Sequence, residues 1–122
     1  MKNRTLILGA SLNPSRISHI VVKELNAKGF ELIAFGRKVG HIGDVEVTDR
    51  LMPWQDIHTI SLYLNPAVQK SFYQDIIDLD PKRVIFNPGT ENPEFQNMLS
   101  EAGIAYENAC NLVLLRTDQY KT

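Results

Sequence analysis

Four of the six prolines in this chain follow an asparagine, at Asn13-Pro14, Asn65-Pro66, Asn87-Pro88 and Asn92-Pro93. An asparagine that caps a helix with a proline at its first position is a good helix starter, and short loops of this kind also let a ligand approach the backbone closely. The first three steps each come just after an apolar, β-favouring run. Around the first of them, Gly9, Ala10 and Ser11 are small enough for backbone N–H groups to meet an anion. A helix beginning there adds about half a positive charge at its N-terminus, and Arg16, expected in its first turn, offers a charged fork to a phosphate. The chemistry suggested is phosphate binding. The loop is not GxGxxG, which argues against the usual dinucleotide fingerprint.

The second candidate feature is Gly36-Arg37-Lys38, at the end of the second apolar run. NAD-binding domains carry an acidic residue at that point to bond a free ribose hydroxyl. Two cations there would instead attract a phosphorylated ribose, as found in NADP and in coenzyme A.

Catalytic patterns are poorly represented. Ser11 lacks the GxSxG context of a nucleophile elbow, and His19, His41 and His58 have no metal-ligand spacing. Glu91 and Glu94 stand at an expected helix start, where the dipole explains them. Cys110, Tyr63, Phe86 and Trp54 read as packing groups, with Cys110 a thiol near the expected cleft.

The elements that must position these residues alternate strand and helix. Strands are expected at Thr5–Leu8, Phe30–Phe35, Ile57–Leu64, Arg83–Asn87 and Ile104–Glu107. Helices are expected from about Ser15 to Lys28, after Pro66, after Pro93 and in the apolar tail from Ala109 to Arg116. The turn-rich stretch from Gly36 to Pro53 reads as a loop with a small strand or ribbon near Val45 and Val47. This order predicts an α/β, Rossmann-like single domain over 1–122, with a mostly parallel sheet of about five strands and helices on both faces. Every strand-to-helix loop then lies at one carboxyl edge.

A chain of 122 residues with 43% hydrophobic and 22% charged content fits one ordinary globular domain. Its 13 basic and 14 acidic residues give a net charge of -1, which offers no support for bulk binding to nucleic acid or an anionic membrane. The single cysteine, the lack of a signal-like start and the absence of any apolar run near the roughly 20 residues that span a bilayer point to a cytoplasmic protein.

GASLNPSRISH, SLYLNP, RVIFNPGTENPE and ACNLVLLR together resemble the small stand-alone CoA-binding domain proteins, which are similar to the CoA-binding domain of the succinyl-CoA synthetase α subunit. The resemblance implies a domain that binds coenzyme A or an acyl-CoA. It places Gly9, Ala10, Ser11, Asn13, Pro14 and Arg16 around the pyrophosphate, and Arg37 and Lys38 at the phosphorylated adenosine end. Asn65, Pro66 and Gln69 fall beside the adenine or the diphosphate, and Asn87, Pro88 and Gly89 border the pantetheine path. Many relatives carry Asn-Pro where this chain has Gly36-Arg37-Lys38. The synthetase's phosphorylated histidine belongs to a second domain, so ligase activity is not implied. The expected partner is a small nucleotide cofactor, with a protein partner or homo-oligomer compatible and neither nucleic acid nor membrane expected. Two other readings stay open: an NADP-binding oxidoreductase or redox sensor, and an interaction domain whose cleft is empty.

Overall fold

The first apolar run becomes β1 (Arg4–Leu8), whose last four residues are fully buried because the strand lies between two parallel neighbours and under helices on both faces. In the computed structural model, residues 3–122 are described; Met1 and Lys2 of the expected 1–122 domain lie outside the described residues. β1 pairs with β2 (Leu32–Phe35) on one side and with β5 (Ile57–Leu62) on the other. Beyond β5 come β6 (Arg83–Phe86) and β7 (Ala105–Asn108), both parallel.

The sheet has seven strands rather than about five. The additional pair comes from the turn-rich stretch, where β3 (Gly40–Ile42) and β4 (Val45–Thr48) form an antiparallel hairpin and β4 pairs in parallel with β2. Alternation explains it: Ile42 and Val47 are buried while His41 and Glu46 face outward, and Gly43 closes the turn with φ 61°. The final order is β3-β4-β2-β1-β5-β6-β7.

One face is covered by α1 (Ile17–Ala27) and α5 (Asn111–Arg116), through Val21, Val22, Leu25 and Leu115 against Ile7 and Ile85. The other is covered by α3 (Tyr73–Leu79) and α4 (Pro93–Glu101), through Ile76, Phe95 and Leu99 against Leu6, Leu8, Ile60 and Leu62. The expected helix after Pro66 is interrupted: α2 (Pro66–Gln69) passes through a 3-10 turn at Lys70–Phe72 before α3 begins. No helix covers the connection from β4 to β5; Leu51 and Trp54 of that extended segment pack on the second face in its place. Arg116 ties α5 to α1 by donating to Glu24 at 2.6 Å, and this hydrogen bond holds the Glu24 carboxyl below its usual pKa.

From β1 the chain moves to β2 on one side and later returns to β5 on the other. Such a reversal opens a crevice between the two diverging loops at the carboxyl edge, the usual ligand position in an open α/β sheet.

His58, at the start of β5, is partly buried with Nδ1 2.8 Å from the Thr59 hydroxyl. Burial lowers its pKa, and Arg83 and Lys82 lower it further. The unfolded chain therefore binds the proton more readily. The His58 contribution to stability is complete above the unfolded pKa of about 6.5 and is lost as pH falls through the lower folded value. Thermal unfolding of His58→Gln should accordingly show a shallower loss of melting temperature than the parent between about pH 7 and pH 5; an unchanged slope would contradict this.

Candidate functional site

The β1–α1 loop is held from below by one carbonyl. Gly9 and Ala10 donate their N–H groups to Phe35 O at 2.9 and 2.8 Å, so these two donors serve the fold and do not face an anion. Gly9 turns the chain with φ 107°, a left-handed conformation suited to glycine. Asn13 Oδ1 then accepts from the Ser15 N–H and hydroxyl, and the Ser11 hydroxyl accepts from Asn13 N–H at 3.1 Å. His19 reaches back from α1 to donate Nδ1 to the Ser11 carbonyl at 2.8 Å. The expected helix start moves accordingly. Pro14 stays in the loop, and Arg16 is the N-cap rather than a first-turn residue. No side chain caps this end, and the Ile17 and Ser18 N–H groups have no partner within the helix.

The end of β2 fits under this loop only because residue 36 is glycine. A Cβ on Gly36 would stand 2.2 Å from the Ala10 carbonyl oxygen, a backbone atom that cannot swing aside. One at Gly40 would stand 2.8 Å from Leu12 Cδ1, the movable end of a side chain. Arg37 and Lys38 follow at once and are exposed, as is Arg16. Among the described residues none of these three cations has a carboxylate within ion-pair distance. The topology brings them to one edge, with no acidic residue at the end of β2.

Beyond β5 on the same edge, two amides point inward. Gln69 is fully buried, donates to the carbonyls of Leu64 and Thr90 at 2.8 Å each, and accepts from Asn92 Nδ2 at 2.9 Å. Asn87 donates to the Ser61 hydroxyl and the Leu62 carbonyl at 2.9 Å each and accepts from the Asn111 N–H at 2.8 Å. Every polar atom of these two side chains is engaged within the protein, so they brace the loops. Asn65 caps α2 by accepting from Val68 N–H at 3.0 Å, with Pro66 at the first position. Pro88 and Gly89 are exposed beside them, and Gly89 donates to Glu91 at 2.9 Å.

The carboxyl edge thus combines a reversal of strand order, an uncapped helix start and, among the described residues, three cations without a carboxylate partner. The family model described as CoA binding domain matches residues 3–116. The chain belongs to the CoA binding domain family. Among solved structures, an uncharacterized protein is 39% identical, with TM-score 0.93 over 98% of this chain and 99% of that one. A conserved hypothetical protein from Pyrococcus furiosus is 27% identical, with TM-score 0.78 over 93% and 98% of the two chains. A protein from Thermus thermophilus, at 22% identity and TM-score 0.81 over 98% and 91%, shares the fold. No curated protein matches the chain.

In this member of the family, sequence reasoning did not reach the tertiary roles of His19 and Asn92. Nor did it reach the polar group of Ser61, Tyr63 and Asn111 beneath the carboxyl edge. One signal was present: in β5, Thr59 and Ser61 alternate with Ile60 and Leu62, and all four are buried, so one face of a central strand is polar. A recess of about 700 Å³ lies at the opposite, amino edge beside Trp54 and His58. Asp75, Asp78 and Asp80 line it and would repel a phosphate, so it does not compete with the carboxyl edge for this ligand. Among the described residues no helix is long and apolar enough to cross a membrane, and no group of three or more His, Cys, Asp or Glu is placed to hold a metal ion.

Gly36→Ala should lower the melting temperature by about 5 to 10 °C, because the loop backbone must shift, whereas Gly40→Ala should cost clearly less. Equal effects of the two substitutions in thermal unfolding would contradict the assignment of Gly36 as the contact that seats the loop.

Proposed function

We propose that this chain binds coenzyme A or an acyl-CoA at the carboxyl edge of its sheet, as a binding or regulatory module without chemistry of its own. The observation that carries the reading is the exposed, unpaired Arg37-Lys38 at the end of β2, in a chain of the CoA binding domain family. The pyrophosphate lies on the β1–α1 loop. Its donors are the Ile17 and Ser18 N–H groups with the Arg16 guanidinium, while Gly9, Ala10, Ser11, Asn13 and Pro14 shape the loop. Arg37 and Lys38 face the ribose phosphate. Asn65 and Pro66 flank the nucleotide, Pro88 and Gly89 border the pantetheine, and Gln69 and Asn87 act by holding those loops in place.

The reading as a module without chemistry of its own is supported by how two acid–base groups at this edge are employed. His19 is spent on the Ser11 carbonyl and Glu91 on the Gly89 N–H. An NADP-binding role would use the same two cations, so the ligand test must separate the two cofactors.

Isothermal titration should give a Kd for coenzyme A lower than that for dephospho-CoA by about tenfold or more, the contribution of one charge-assisted contact. The preference should vanish in an Arg37→Ala/Lys38→Ala variant. Equal affinity for the two ligands, or binding of NADPH in preference to both, would overturn this reading.

A further inference from the structure

The Ser61 hydroxyl, near the end of β5, accepts from two amides, Asn87 Nδ2 at 2.9 Å and Asn111 Nδ2 at 3.0 Å. Asn111 is fully enclosed, yet its Oδ1 has no hydrogen-bond partner; the Tyr63 hydroxyl, likewise shielded from solvent, makes no hydrogen bond of ordinary length, and although the Ser61 side chain acts on its oxygen as a donor, the phenol's own proton has no acceptor. Buried polar atoms in native proteins are rarely left unmatched, and each exception calls for a reason. These two are complementary. Asn111 Oδ1 can only accept, and burial pushes the Tyr63 phenol far above its usual pKa, which keeps its proton in place as a donor.

Their position is as informative as their chemistry. Tyr63 directly follows β5 and stands against the β1–α1 loop; a Cβ on Gly9 would lie 3.1 Å from both the Tyr63 carbonyl carbon and its Cβ. Asn111 is on the other side, anchored to the β6 loop through Asn87, and Ala109 N–H bonds Phe86 O at 3.1 Å as the chain crosses the end of β6. Cys110, the residue before Asn111, is half-buried, as is Tyr63. The pair therefore spans from the loop assigned to the pyrophosphate to the loop assigned to the pantetheine.

We propose that Tyr63 and Asn111 form a site for a secondary amide of the pantetheine arm, the amide carbonyl accepting from the Tyr63 hydroxyl and the amide N–H donating to Asn111 Oδ1. The inference rests on the coenzyme A reading above. A secondary amide offers one acceptor and one donor, which matches the two unpaired atoms. A buried water has the same capacity and is the competing occupant. Cys110 directly precedes Asn111 and is close enough to Tyr63 to act on its phenol, so its thiol lies beside the site.

The test compares the parent chain and Tyr63→Phe in titrations with coenzyme A and with 3′-phospho-ADP, which lacks the pantetheine arm. The parent should bind both. Tyr63→Phe should lose about tenfold in affinity for coenzyme A and nothing for 3′-phospho-ADP. In the unaltered chain, acetyl-CoA, whose thiol is capped, should slow alkylation of Cys110, the only cysteine, while 3′-phospho-ADP should not. The proposal is overturned by unchanged affinity for coenzyme A, by equal losses for both ligands, or by unaltered Cys110 alkylation. It is also overturned if the free protein's melting temperature falls while both affinities hold, the signature of a resident water. Failure of the parent to bind coenzyme A at all would instead refute the reading beneath it.

Discussion

The Phe35 carbonyl accepts from two successive N–H groups, Gly9 and Ala10, and the rest of the carboxyl edge depends on that contact. It seats the β1–α1 loop on the end of β2, and only a glycine at 36 leaves room for it, since the Ala10 carbonyl occupies the place of a side chain. The cost is that the two amides best placed by sequence to hold an anion are consumed. The gain is a loop fixed at both ends, with His19 holding the Ser11 carbonyl, and a helix start left uncapped. The donors left over at this edge are those of the helix terminus, with Arg16, Arg37 and Lys38 exposed.

A division of labour follows. Three amide side chains at this edge turn inward: Gln69 and Asn92 knot the β5 and β6 loops together, and Asn87 knots β5, β6 and the start of α5. Among the described residues, Arg16, Arg37 and Lys38 turn outward without a carboxylate partner. Buried amides with all their atoms matched give rigidity, because losing one member leaves the others desolvated and unpaired. Exposed cations without carboxylates hold their charge ready for a ligand at no desolvation cost. On the proposed reading, an edge so built would take an anionic ligand with little rearrangement, with an affinity that falls as salt rises.

What the sequence made legible was whatever depends on local pattern. The continuous apolar runs of β1, β5 and β6, the Asn-Pro caps at 65 and 92, and the cations after β2 all appear where periodicity and capping place them. Two local expectations moved for identifiable reasons. Pro14 opens no helix because Asn13 spends its side chain on a turn with Ser15, and the ribbon joins the sheet because Val47 and Ile42 need burial. The tertiary pairings were not legible. Gln69 looks like a ligand-facing residue one turn beyond a cap, and only its contacts with Leu64, Thr90 and Asn92, the last 23 residues away, reveal a brace. Asn111 likewise sits in an apolar tail, and its bond to Ser61 spans 50 residues.

The account stands on the ligand that this edge selects. Native mass spectrometry of the chain mixed with equal concentrations of coenzyme A and NADPH measures that selection in one spectrum. The account predicts a single adduct, with the mass of coenzyme A. An NADPH adduct, or equal occupancy by the two, would contradict it.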